Sequence, residues 1–272
     1  MRRPVHGATV LITGGGSGLG RAMAHEAAAR GARVVIWDLS QESAERVRDE
    51  LAAAGATAMA VTVDVTDRAA VREAAARTLD RVHGVDVLIN KAGVVTGRPL
   101  LEASEEAIER TFAVNTLALY WVVRAFLPGM VERRRGTVVT IASAAGLVGV
   151  ARQTDYSASK HAAVGFTEAL RAEMRTTRTG VSTLAVCPYY IDTGMFEGVR
   201  SRFPLLLPIL REERVARSAI DAIEAGRTQL LLPPLVRLLP VLRALPAPVF
   251  DRLADLVGIN RSMDHFTGRP RD

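Results

Sequence analysis

The strongest constraint on how this chain can fold lies near its N-terminus. Ala8-Thr-Val-Leu-Ile-Thr13 reads as a short buried strand, and Gly14-Gly-Gly-Ser-Gly-Leu-Gly20 follows it directly. An alanine-rich helix over 21–30 is stopped by Gly31, and Arg33-Val-Val-Ile-Trp-Asp38 reads as the next strand. Strand, glycine loop, helix and strand in that order are the context a dinucleotide site requires. Glycines let the backbone approach a pyrophosphate, and the helix start offers unpaired N–H groups and a positive dipole end. Asp38 lies 18 residues after Gly20 (38 − 20), close to the roughly 20 expected of a carboxylate on the adenosine ribose. Such a carboxylate accepts both hydroxyls of NAD and repels the extra phosphate of NADP, so NAD is the expected cofactor.

The alternation continues along the chain. Ser40 caps a helix running through Ala53, and Ala58–Asp64 is a strand whose end, Asp64-Val65, falls where a loop meets the adenine. Asp67 opens a helix to about Val82, and 85–90 is a fourth strand ending in Asn90-Lys-Ala-Gly93. One long helix is expected over 104–126 with Asn115 in its middle, where a competing side-chain amide would kink it and bind a water. Strands over 136–143, 181–186 and 228–232 alternate with helices over 156–177 and 214–225. Near-continuous apolar strands separated by helices imply a doubly wound parallel sheet of seven strands with helices on both faces, an α/β fold in one domain. Ligands in such sheets sit at the carboxyl ends of the strands, which gathers Gly14–Gly20, Asp38, Asp64, Asn90, Ser143 and Pro188 at one edge.

Tyr156 and Lys160, at i and i+4, share one helix face. A fixed ammonium favours the phenolate and would bring the tyrosine's proton into use near neutral pH. Ser143 lies 13 residues earlier (156 − 143), at the end of an apolar run, where its hydroxyl can hydrogen-bond a substrate carbonyl oxygen.

Composition removes other classes. One cysteine, Cys187, excludes an internal disulfide framework and reads as a small core residue. The formal charge is +6, but the arginines are scattered apart from Arg133-Arg134-Arg135, which reads as a solvated turn; no nucleic-acid partner is expected. His25 and His161 lie on separate helices, and no metal site is expected. The opening Met1-Arg-Arg-Pro-Val-His does not read as a signal peptide, and no spanning helix is expected, so a cytoplasmic location is.

Thr13-Gly-x-x-x-Gly18-x-Gly20, Asn90-x-Ala-Gly93, Asn115, Ser143 and Tyr156-x-x-x-Lys160 together resemble the short-chain dehydrogenase/reductase superfamily, over about 190 residues. The resemblance implies a single Rossmann-fold domain over 1–272 and a catalytic tetrad of Asn115, Ser143, Tyr156 and Lys160. Ser143 would hold the substrate oxygen, Tyr156 would be the acid or base, Lys160 would lower the tyrosine pKa and bind the ribose, and Asn115 would hold a relay water. It implies cofactor contacts from Gly14, Gly16, Ser17, Gly18, Leu19, Gly20, Asp38, Leu39, Asp64, Val65, Asn90, Ala92, Gly93, Tyr156, Lys160, Pro188, Ile191 and Thr193. The chain departs from the family twice: Lys91 stands where a second asparagine is usual, and Pro188-Tyr189-Tyr190 replaces the frequent Pro-Gly. Tyr189 and Tyr190 are expected to face the substrate beside Ser143 and Tyr156. This pattern looks like the branch of retinol and 17-beta-hydroxysteroid dehydrogenases.

Phe203–Leu210 and Leu230–Leu245 are unusually apolar and broken by prolines. Residues 194–250 are therefore expected to form a substrate lid and apolar C-terminal extension, with an outer face for a homodimer or homotetramer contact or, through 203–250, a peripheral membrane contact. The reading is an NAD-linked dehydrogenase of a lipophilic alcohol or ketone of steroid, retinoid or long-chain type. Two rivals stand beside it. One is an NADPH-dependent reductase of 3-oxoacyl thioesters, against which Asp38 speaks. The other is a non-catalytic, membrane-associated NAD-binding scaffold, which predicts a damaged tetrad.

Overall fold

The computed structural model describes residues 4–268, so the outermost residues of the expected 1–272 domain lie outside the described residues. The chain runs β1 (Thr9–Thr13), α1 (Gly18–Ala29), β2 (Arg33–Asp38), α2 (Gln41–Ala53), β3 (Ala58–Thr62), α3 (Arg68–Val82) and β4 (Val87–Asn90). It continues through α4 (Glu105–Phe112), α5 (Ala118–Glu132), β5 (Gly136–Ile141), α6 (Thr154–Thr176) and β6 (Val181–Pro188). The last part comprises β7 (Ile191–Asp192), β8 (Leu210–Arg211), α7 (Glu212–Glu224), β9 (Gln229–Leu232), α8 (Leu239–Leu242) and α9 (Ala247–Val257).

Seven parallel strands form the sheet in the order β3-β2-β1-β4-β5-β6-β9. β1, β4 and β5 are buried along their whole length, as a parallel sheet covered on both faces requires. Helices α1, α2 and α7 pack their apolar stripes on one face, and α3, α5 and α6 on the other. Trp37 anchors the second face: its indole N–H donates to Thr78 at 3.1 Å, and its ring lies 5.4 Å from that of Phe126. Strand order reverses between β1 and β4, so the ligand crevice opens beyond their carboxyl ends.

Local signals place the helix starts. The Ser40 hydroxyl accepts from the Ser43 N–H, and the Asp67 carboxylate accepts from those of Ala69 and Ala70, each cap worth roughly 1 kcal/mol. The expected helix over 104–126 differs. α4 and α5 are joined by a π-helical turn, Ala113–Leu117, and α5 runs past Phe126 and through Pro128 to Glu132. The extra residue per turn lies at Asn115, whose amide bonds elsewhere, as set out below. By length and composition the run Glu105–Glu132 could cross a membrane, contrary to the sequence expectation; here it packs on the sheet.

β6 extends to Pro188, two residues beyond its expected end, and α6 begins at Thr154, which puts Tyr156 in its first turn. The β7–β8 pair was not anticipated: two residues on each side close a loop that carries the apolar stretch 203–210.

Candidate active site

The glycine loop is shaped by contacts that a side chain would destroy. A Cβ on Gly20 would collide with the Gly14 carbonyl oxygen, and one on Gly16 would lie 2.9 Å from the Asp38 Oδ2. Gly18 adopts φ +50°. It opens α1 with no side-chain cap from Ser17 and no acidic residue in its own first turn, although the Glu212 carboxylate approaches from α7, 3.7 Å from where a Gly18 Cβ would stand. The Thr13 hydroxyl oxygen accepts from the N–H groups of Lys91 at 3.0 Å and Ala92 at 3.1 Å, which binds the end of β4 to the end of β1.

These ends wall a cleft of about 820 Å³. Of the expected cofactor residues, Gly14, Ser17, Gly18, Leu19, Asp38, Leu39, Asp64, Val65, Ala92, Gly93, Tyr156, Lys160, Pro188, Ile191 and Thr193 line it. Gly16, Gly20 and Asn90 do not. Gly16 donates its N–H to Asp38 Oδ2 at 2.8 Å, Gly20 allows helix and loop to meet, and Asn90 is buried at the end of β4. The Asn90 side-chain nitrogen has no hydrogen-bond partner among the described residues. Asp38 is fixed at both oxygens, the second accepting from the Ser40 N–H at 3.0 Å. Arg46 reaches toward the same corner, 3.5 Å from the Gly16 carbonyl oxygen, and pairs loosely with Glu42 at 3.9 Å. A carboxylate at the strand end, an uncapped helix start and a loop of glycines broken only by Ser17 and Leu19 fit a dinucleotide.

Ser143, Tyr156 and Lys160 line the far end of this cleft, and Asn115 is buried behind them without lining it. Asn115, in the π-helical turn, accepts from the Val94 N–H at 2.8 Å and donates to the Val94 carbonyl at 2.9 Å and to Ser159 Oγ at 3.1 Å. Both amide hydrogens are thereby committed to protein. Its side chain clamps the loop after β4 to α6, one turn from Tyr156, instead of offering donors to a water.

The Lys160 ammonium donates to the Ile141 carbonyl at 3.0 Å and lies 5.6 Å from the centre of the Tyr156 ring. Burial, and then the nearby Lys91 charge, lower its pKa to about 8. The expected lowering of the tyrosine pKa is reversed: burial raises it, and only the hydrogen bond with Ser143 pulls it back. Ser143 also accepts from the Ala145 N–H at 3.1 Å, which fixes its hydroxyl oxygen at the end of β5.

Ser143 and Tyr156 also line a second, apolar cavity of about 180 Å³. Its outer wall comes from Phe196, Leu207 and the C-terminal residues Leu235 to Ile259, so it extends beyond the expected limit at residue 250. Tyr189 faces both spaces. Tyr190 faces only the apolar one, and its hydroxyl belongs to a buried chain: Gln153 Nε2 donates to it at 3.3 Å, and it lies 2.9 Å from Ser262 Oγ. Phe196, which the sequence reading missed, stands edge-on to Tyr156 at 5.8 Å and to Tyr190 at 5.1 Å. Its only sequence signal is its place just after Thr193-Gly-Met195. Cys187 is fully buried, as expected of a core residue, and burial pushes its thiol up to about 12.

A strand-end glycine cradle facing a buried tyrosine–lysine pair defines a class of dehydrogenase, and comparison with known proteins agrees. The family model for short chain dehydrogenase matches residues 8–203, and the chain belongs to that family. It is an NAD(P)-dependent oxidoreductase. Mouse epidermal retinol dehydrogenase 2 is 40% identical over 273 aligned positions, covering 99% of this chain and 88% of that protein. Mouse 17-beta-hydroxysteroid dehydrogenase 13 is 36% identical, covering 90% and 80%. Among solved structures, a short chain dehydrogenase/reductase from Burkholderia phymatum in complex with NAD superposes with a TM-score of 0.81 at 31% identity, covering 89% of this chain and 94% of that one.

Proposed function

We propose that this enzyme oxidises lipophilic alcohols, of steroid, retinoid or long-chain type, with NAD in preference to NADP. The observation that carries the substrate class is the apolar cavity opening onto Ser143 and Tyr156, walled by leucines, valines and aromatic rings. Asp38, held by two backbone N–H groups at the ribose end of the cleft, supports NAD. The same carboxylate argues against an NADPH-linked thioester reductase.

Bound in the cleft, the nicotinamide would supply the hydride chemistry. Ser143 holds the substrate oxygen in place through its own fixed hydroxyl. Tyr156, as phenolate, takes the hydroxyl proton. Burial makes that phenolate costly, so the charge of Lys160 and the Ser143 hydrogen bond must both favour it in the working site. Lys160 would also hold the ribose, and Asn115 keeps α6 at its distance from the cofactor loop. The wall over 194–259 acts as a lid that excludes water.

The outer face of that lid is apolar too: Leu205 is 99% and Val241 70% exposed. On this reading that face meets a second copy in a homodimer or homotetramer, or rests on a membrane from the cytoplasmic side. Sedimentation with and without lipid vesicles separates the two.

The deciding experiment is cofactor reduction at alkaline pH with NAD and NADP against steroids, retinol, medium-chain alcohols and sugars. NAD-linked turnover restricted to lipophilic alcohols is expected. Turnover only of small polar alcohols would overturn the substrate class, and a preference for NADP would overturn the role of Asp38.

A further inference from the structure

The chain carries 35 basic side chains but only two lysines, Lys91 and Lys160. Both line the cofactor cleft. Lysine differs from arginine in being a compact, strongly hydrated point charge, suited to a phosphate approached from one side. Lys160 has its place in the tetrad. Lys91 occupies a position where the family usually has asparagine, and the reading given above leaves it without a role.

Its geometry is specific. The Lys91 N–H is tied to Thr13, which fixes the residue at the switch point between β1 and β4. Its ammonium donates to the Gly14 carbonyl at 3.2 Å and to the Ser17 carbonyl at 3.5 Å, inside the curve of the glycine loop. Carbonyl dipoles anchor an ammonium without cancelling its charge. The Glu212 carboxylate shares its field at the start of α1: burial raises its pKa, and the charges of Arg21 and Lys91 lower it. On the other side Lys91 acts on Lys160, whose ammonium it disfavours. It therefore stands between the glycine loop and the catalytic lysine. A dinucleotide extending from Asp38 to Tyr156 must carry its diphosphate through that interval.

We propose that Lys91 is a ligand of the cofactor's diphosphate, so that a point charge holds the dinucleotide in addition to the start of α1. The inference rests on the cleft being the dinucleotide site. It makes the glycine loop a two-part phosphate clamp, with neutral N–H donors on one side and a cation on the other. It also implies that a bound diphosphate screens Lys160 from Lys91, which restores the positive charge that the tyrosine needs.

Calorimetric titration with ADP-ribose, which carries the diphosphate, and with adenosine, which does not, tests this without any turnover. Lys91→Met should weaken ADP-ribose binding about ten-fold or more, the worth of one charge-assisted hydrogen bond, and leave adenosine within two-fold. Lys91→Arg should restore most of the loss, and the salt dependence of ADP-ribose binding should flatten in the methionine variant. Equal loss for both ligands would mean that Lys91 only shapes the loop, and no loss for either would mean that it makes no contact; each overturns the proposal. Should the wild type bind neither ligand, the assignment of the cleft itself falls. The thermal melting of Lys91→Gln serves as a second check that the fold is intact.

Discussion

The cofactor cleft is walled by residues at the carboxyl ends of β1, β2, β4 and β5, whereas the outer wall of the apolar cavity is made by α8, α9 and the β7–β8 loop. In the first region the central polar side chains are fixed by backbone partners: Asp38 by Gly16 and Ser40, Lys91 by Gly14, Lys160 by Ile141, with Asn115 held behind them by Val94. The second is held mainly by side-chain packing, with polar ties at its margins: the chain from Gln153 through Tyr190 to Ser262, Ser201 on the Leu207 carbonyl and Arg243 on the Leu147 carbonyl. Hydrogen bonds fix positions within narrow limits, while apolar packing tolerates exchange of shape. One region is thus suited to a constant ligand and the other to a variable one.

If that division is right, a change in one region should leave the other's function intact. The largest separation is expected from Tyr156→Phe, which deletes one oxygen shared by both spaces. Turnover should fall by roughly 100-fold or more, the usual worth of acid–base catalysis, with NAD affinity within two-fold of wild type. Unchanged turnover, measured by cofactor reduction, would remove Tyr156 from the mechanism. Next comes Asp38→Asn, which removes a charge at constant shape. The ratio of kcat/KM for NADP over NAD should rise roughly ten- to a hundred-fold, with Arg46 beside Gly16 available to meet the added phosphate. The discrimination among alcohols should not move; if it does, the two regions are coupled. Phe196→Ala attacks the other side. Its ring is partly buried and borders both spaces, and its loss should lower kcat/KM for lipophilic alcohols about ten-fold and spare short ones, with NAD affinity within two-fold of wild type. A uniform loss would assign Phe196 to the support of Tyr156 instead of to the substrate.

The same contrast explains what could be read without coordinates. A pyrophosphate demands glycines, a ribose demands a carboxylate, and a tyrosine that exchanges protons demands a cation. These requirements act over a few residues and leave marks such as Gly14–Gly20, Asp38 and Tyr156-x-x-x-Lys160. Asn115 was legible as a disturbance of its helix, but its bonds to Val94 and Ser159 depend on distant segments meeting, so its role as a clamp was not. The apolar segments 203–210 and 230–245 were legible as surfaces wanting cover. Which residues turn inward, Leu207 and Leu239, and which outward, Leu205 and Val241, is decided by α9 folding back over them, and no short-range pattern encodes that. The pKa of Tyr156 was misjudged for a related reason. The pairing with Lys160 is local and visible in the spacing, whereas burial is a sum over the whole fold, and burial is the larger effect.

Burial of Lys160 gives the finest test, because it can be read in the protein alone. Burial lowers its pKa in the fold to about 8, against an ordinary value of 10.5, so between those values the unfolded chain binds more protons than the folded one. Stability therefore gains from this residue as pH rises through that window, and below about pH 8 the buried ammonium is a standing penalty. The tyrosines and Cys187 act the other way. Burial raises their pKa values, so from about pH 9 upward the unfolded chain loses protons that the fold retains, and stability falls. The raw melting temperature mixes these signs, but the difference between wild type and Lys160→Met isolates the lysine. At pH 7 the methionine variant should melt several degrees higher, and the gap should narrow steadily toward pH 10.5. A gap independent of pH would mean that Lys160 is stabilised in its charged form by its bond to the Ile141 carbonyl, and that the ammonium is present at full strength before any cofactor arrives. Repeating the difference in Lys91→Met sharpens it further: with the repelling cation gone, the window in which the gap closes should move to higher pH. A window that stays in place would show that the two lysines do not sense each other across the cleft.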